Sequence, residues 1–111
     1  MNRHYLTNMP SDWDKIARIF SALGDETRQK ILLLFEPGES ISRKTISEFL
    51  PLSQTAVAHH LTTLVRAGLL IPARRGKEIW YTLDLKRLID ALDRVRIYAA
   101  NMLEKARELS S

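Results

Sequence analysis

Between residues 40 and 83 the chain packs two helix starts, a tight turn, a glycine stop and a hairpin into one short stretch. Ser42 precedes a run with Ile46, Phe49 and Leu50 at helical spacing, and Ser53 precedes a second run, to Ala67, with Val57, Leu61, Leu64 and Val65 inward. A serine ahead of such a run is a helix N-cap, because its hydroxyl accepts from a backbone N–H that the first turn leaves unpaired. Only Pro51 and Leu52 separate the first run from the second cap, so a tight turn joins the two helices. Gly68 stops the second helix as a C-terminal cap. Two β-rich runs follow, Leu70-Ile71-Pro72-Ala73 and Glu78 to Leu83, and the Arg74-Arg75-Gly76-Lys77 turn between them predicts a hairpin. The stretch reads as a helix-turn-helix with a basic hairpin, or wing, behind it.

Charge collects on the same residues. From 40 to 77, Arg43, Lys44, Arg66, Arg74, Arg75 and Lys77 stand against one acid, Glu48. Six cations less one anion leave +5 there, more than the +4 of the whole 111-residue chain. That layout suits double-stranded DNA: the second helix can enter a major groove while the wing reaches the neighbouring backbone.

The flanking sequence is helical as well. Ser11 and Asp14 have the spacing of a capping box, predicting a helix that buries Trp13, Ile16, Ala17, Phe20 and Leu23 and stops at Gly24. Asp25 predicts the cap of a helix from Glu26 to about Phe35, broken by Glu36-Pro37-Gly38. Asp84 predicts the cap of a long last helix, to about Leu109, in which Leu85, Leu88, Leu92, Val95, Ala99, Met102, Ala106 and Leu109 recur at three- and four-residue steps. Ile89, Tyr98 and Leu103 widen that stripe. It exceeds what one small domain needs, so it is expected to pack on a second copy, with the first helix; folding back on its own domain is the alternative. The expected fold is mainly α, a winged helix-turn-helix of about five helices with a two-stranded wing. Residues 1–111 form a single domain in this reading, with 11–23 and 84–109 as dimerisation helices.

Several classes of function are excluded or disfavoured. No apolar run approaches the roughly 20 residues that cross a bilayer, and the first residues lack a signal-peptide core, so no membrane partner and a cytoplasmic location are expected. The chain has no cysteine, which removes disulfides, thiol sensing and thiolate metal sites. No Ser-His-Asp order and no Gly-rich phosphate loop is present, so neither catalysis nor a cofactor is expected.

The candidate DNA-contacting residues follow from position and chemistry. Gln54 and Thr55 open the second helix of the motif, where side chains meet base edges; glutamine pairs bidentately with adenine and a threonine methyl touches thymine. Ala58 and His59 lie on the same outer side. Ser42, Arg43, Lys44 and Ser53 are phosphate candidates through side chains or helix N-terminal N–H groups. Arg74, Arg75 and Lys77 at the hairpin tip suit a narrow minor groove or a phosphate. His60 is expected either to pack on the preceding helix or to reach a phosphate. Adjacent helical positions point about 100° apart, so His59 and His60 do not easily share a metal ion.

Residues 23–83 resemble the ArsR/SmtB family of dimeric winged-helix repressors. The resemblance rests on Ala22-Leu23-Gly24-Asp25-Glu26-Thr27-Arg28, on Leu52 to Leu61, on Leu64 to Leu70 and on Trp80-Tyr81-Thr82-Leu83, in family order and spacing. It implies a homodimer that occupies an operator until a signal lowers its affinity. Many members sense metals, at two sites. Ser42 and Lys44 stand where one site carries a Cys-x-Cys pair; Asp84 is present at the second, but Lys86, Ile97 and Ala100 take its other three positions. One carboxylate of four ligands does not make a tight transition-metal site, so no metal is expected. A small organic ligand, a protein antagonist, pH or no effector remain open as the signal. A winged helix can also serve as a protein-docking or antirepressor module without sequence-specific DNA binding, and that is the competing reading.

Overall fold

Local caps start most of the helices. A computed structural model describes all of residues 1–111. A short 3₁₀ turn, His4–Leu6, precedes α1 (Ser11–Leu23), α2 (Glu26–Leu33), β1 (Ser40–Ser42), α3 (Arg43–Glu48), α4 (Gln54–Arg66), β2 (Leu70–Arg75), β3 (Glu78–Leu83) and α5 (Leu85–Ser110). Asp25, Ser42, Ser53 and Asp84 each accept the N–H three residues ahead, at 3.1–3.2 Å. Ser11 departs from expectation: it is the first helical residue of α1, Pro10 holds the cap position, and no side chain caps it. The proline fixes the turn into the helix on its own.

The end of α4 is equally well defined. Gly68 takes φ +79°, its N–H donates to Val65 O at 2.9 Å, and Leu69 N–H donates to Leu64 O at 3.0 Å. Those two bonds form a Schellman cap, with Leu64 and Leu69 both buried beneath it. The positive φ favours glycine there, and the Arg87 side chain of α5 lies over its bare backbone.

The sheet has three strands rather than the two expected, in the order β1-β3-β2, both pairs antiparallel. β1 carries no alternation to betray it; Ser40 joins the sheet through a 2.9 Å hydroxyl contact with Thr82. Pro72 is tolerated because β2 is an edge strand. Arg75 pairs with Glu78, so the reversal is Gly76-Lys77 alone, with Gly76 at φ +63°. Arg74 and Arg75 therefore belong to the strand, not to the turn, and alternate between its faces.

Ile31, Ile46, Val57, Leu61, Leu64 and Leu70 are fully buried, one from each element around the helix-turn-helix except α4, which supplies three. Burying each side chain of this kind contributes roughly 1.5–3 kcal/mol. α1 buries Ile16, Ile19 and Ala22, while Ala17 and Phe20, expected inside, are exposed. Phe49 is also outward, because α3 ends at Glu48 and Phe49 sits past its helical register. α5 runs 26 residues, roughly 39 Å at 1.5 Å per residue, yet only Ala91 is buried. The radius of gyration is 17.8 Å, against roughly 13 Å for a compact chain of this length. α5 therefore projects beyond the body of its own protomer.

Candidate nucleic-acid interface

α3 and α4 form the helix-turn-helix, and α4 turns one face to each environment. Val57, Leu61 and Leu64 lock it into the core; Gln54, Thr55, His59 and Thr62 are exposed and Ala58 is half-buried. Ser53 Oγ takes the N–H of Ala56 at 3.1 Å. The first N–H groups of the helix, at Gln54 and Thr55, have no intrahelical acceptor and face outward with the positive end of the helix dipole.

A groove of about 650 Å³ runs between α3, the start of α4 and the wing. It brings together Arg43, Lys44, Gln54 and Lys77, residues from three elements. Glu48 and Glu78 line it too, so its net charge is milder than that of the flanking surface. Glu78 lies one residue past the basic stretch 40–77.

Other candidates have internal partners. Ser42 is 4% exposed, accepts from Thr45 N–H at 3.1 Å and donates to Thr45 Oγ1 at 2.9 Å. Its hydroxyl caps α3, as the sequence predicts. Arg75 lays its guanidinium 4.7 Å from the Trp80 ring centroid, so one of the two wing arginines is held by a cation–π contact. Arg74 and Lys77 are exposed and form no ion pair. His60 is turned inward: Arg28 Nη1 donates to its Nδ1 at 3.2 Å, which places the ring proton on Nε2. The His59 and His60 rings stand 5.9 Å apart at 56°.

Arg28 ties three helices together. Its Nε donates to Ala22 O at 2.7 Å and its Nη2 to Ser21 O at 3.2 Å, satisfying carbonyls at the end of α1. One guanidinium thus joins α1, α2 and the recognition helix α4. The Arg28 N–H also holds the Asp25 carboxyl below its ordinary value of 3.8, with the nearby guanidinium adding to the effect against partial desolvation. Burial pushes the Tyr81 hydroxyl up, opposed by Arg43.

Residues 23–72 match a family described as a helix-turn-helix domain. The transcriptional repressor SdpR of Bacillus subtilis is 33% identical over 75 residues, covering 68% of this chain and 82% of the repressor. The chain belongs to the ArsR/SmtB family of winged helix-turn-helix transcriptional regulators. A probable mercury resistance operon repressor of Streptomyces lividans is 36% identical over 88 residues, covering 79% of this chain and 70% of that protein. The solved ArsR-like transcriptional regulator of Rhodococcus sp. RHA1 superposes with a TM-score of 0.80 over 90% of this chain and 93% of its own, at 27% identity.

The two ArsR-family metal positions do not fit a metal here. Ser42 is occupied as a cap and Lys44 is a cation. Asp84 caps α5 through Arg87 N–H at 3.2 Å and pairs with Arg87 Nε at 3.5 Å, while Lys86, Ile97 and Ala100 offer no ligand set. No helix is long and apolar enough to cross a membrane.

Proposed function

We propose that this ArsR-family protein is a homodimeric repressor that binds an imperfect palindrome in double-stranded DNA and acts in the cytoplasm. The observation that carries the reading is the groove in which Arg43, Lys44, Gln54 and Lys77 converge on the open N-terminal turn of α4. Gln54, Thr55, Ala58 and His59 read base edges in the major groove. Arg43, Lys44 and the Ser53 end of α4 hold phosphates, and Arg74 with Lys77 reaches the flanking backbone or minor groove. Arg75, stacked on Trp80, stiffens the wing and presents its outer edge. Residues 1–111 act as one unit.

The dimer is supported by what α5 leaves uncovered. Leu85, Ile89, Leu92, Met102 and Leu103 are each about half-exposed, and Tyr98 meets Trp13 edge-on at 5.3 Å, tying α5 to α1. Residues 11–23 and 84–109 therefore present an apolar surface that a second copy covers, and two-fold symmetry sets half-sites roughly 10–11 bp apart.

Selection of bound duplexes from a random library, then titration of the winner at two salt concentrations, tests this. A palindromic consensus bound by one dimer, with affinity falling steeply in salt, is expected. Uniform weak binding, or none, would sink sequence readout and favour a protein-docking module.

A further inference from the structure

We infer that the cleft between α1, the end of α4 and the first half of α5 is a binding site for a small amphiphilic carboxylate. The cleft encloses about 390 Å³, within the range of small-ligand sites and too small for a macromolecule. Lys15 and Arg18 reach it from α1, Arg66 from α4, and Arg87 and Arg94 from α5. The acids along it are Asp12 and Asp90, so five cations less two anions leave an excess of three. Asp12 pairs with Arg94, and Arg87 pairs with Asp84. Lys15, Arg18 and Arg66 form no ion pair within the protein.

The remainder of the lining is apolar. Ile16, Ile19, Ala67 and Ala91 lie at its base, each buried to within a few per cent. At the C-terminus of α4 the Val65 and Leu64 carbonyls accept the Gly68 and Leu69 N–H groups. The Arg87 stem is seated over the bare Gly68 backbone. A neutral apolar compound would leave the unpaired cations without partners. A small inorganic anion would leave the apolar base in water. A carboxylate on a compact hydrocarbon or aromatic body satisfies both, since Arg pairs bidentately with carboxylate and the body displaces water from the base.

The cleft joins the recognition helix to the two helices that carry the uncovered apolar face. Occupancy therefore bears on how α4 is held relative to the dimer, a consequence that rests on the proposed function; binding itself does not. The test is made first without DNA, by titrating the full chain with benzoate and octanoate, each beside its primary amide, and with inorganic phosphate. Amide NMR shifts follow the site. The inference expects saturable binding of at least one carboxylate, with shifts gathered on residues 15–19, 66–68 and 87–94. It expects affinity at least tenfold lower in Arg66→Glu and in Arg18→Ala, both exposed positions whose folding is checked by circular dichroism. No saturation by either carboxylate, equal binding of the amides or of phosphate, or indifference to both substitutions would overturn it. So would shifts at this cleft that arise only with duplex DNA, which would make the three cations backbone contacts. If the carboxylate binds and DNA affinity does not change, the site stands and its regulatory role falls; if no duplex is bound at all, the failure lies with the proposed function.

Discussion

α4 and α5 are both amphipathic, and they differ in which face is left outside. α4, 13 residues, seals Val57, Leu61 and Leu64 into its own protomer and shows solvent Gln54, Thr55 and His59. α5, twice as long, seals only Ala91 and shows solvent Leu85, Ile89, Leu92 and Leu103. A helix with a finished apolar face and a polar outer face can meet a hydrated, charged groove without losing internal packing. A helix with an unfinished apolar face meets another apolar surface. The same periodicity thus specifies a reader in one case and a joint in the other, and the residues outside the core decide which.

The sharpest way to break the comparison is to exchange the consequences of the two faces. Leu61→Ala in α4 opens a cavity under the motif and is expected to cost about 2–5 kcal/mol, read as a lower midpoint in urea unfolding. Leu92→Glu with Leu103→Glu in α5 should leave helix content near wild type while sedimentation shows monomers. Affinity for a two-half-site duplex should fall by about 10²-fold or more as avidity is lost. Wild-type sedimentation as a monomer at micromolar concentration would remove the basis of the contrast.

Smaller effects separate the roles within the reading surface. Gln54→Ala is expected to reduce discrimination at one base pair of each half-site by about 1–3 kcal/mol, measured by competition among single-base variants. Arg74→Ala should instead weaken all duplexes alike and lower the salt slope by about one per protomer. A loss of sequence preference in Arg74→Ala would exchange these assignments. The least effect is in acid. Asp25 has a carboxyl pKa depressed in the folded state, so its contribution is present above the unfolded value and is lost as pH falls through the folded one. Asp25→Asn should therefore flatten that acid limb of the stability–pH curve, its small loss showing at neutral pH and vanishing as pH falls below the ordinary value of 3.8.

Much of this fold is legible in the sequence because caps are local. Asp25, Ser42, Ser53 and Asp84 each bond three residues ahead, within the reach of a pattern read along the chain. What escaped depends on partners distant in sequence. The Arg28–His60 contact spans 32 positions, and no periodicity announces it. Arg75 over Trp80 required knowing that the turn is only two residues long. β1 is three residues, too short to alternate visibly. α1 is the instructive case: Trp13, Ala17 and Phe20 form one apolar stripe, and Ile16, Ile19 and Ala22 another. Only the second is buried in the protomer, although helical spacing alone joins members of both into one stripe. The first stripe continues the uncovered surface of α5 through the Trp13–Tyr98 contact. Of the candidate interface, the outer face of α4 was readable from helical phase alone. The Ser42 cap was readable too; the Arg28 partner of His60 was not.

Gly68 marks the place where the reading helix meets the long rod. α4 ends there in a left-handed glycine, and the Arg87 side chain of α5 lies over its bare backbone. In the proposed dimer the two rods set the frame, and α1, which packs on both α4 and α5, carries the separation of the two reading heads. Half-site spacing is then a mechanical tolerance of the protein, set at the seam of these three helices.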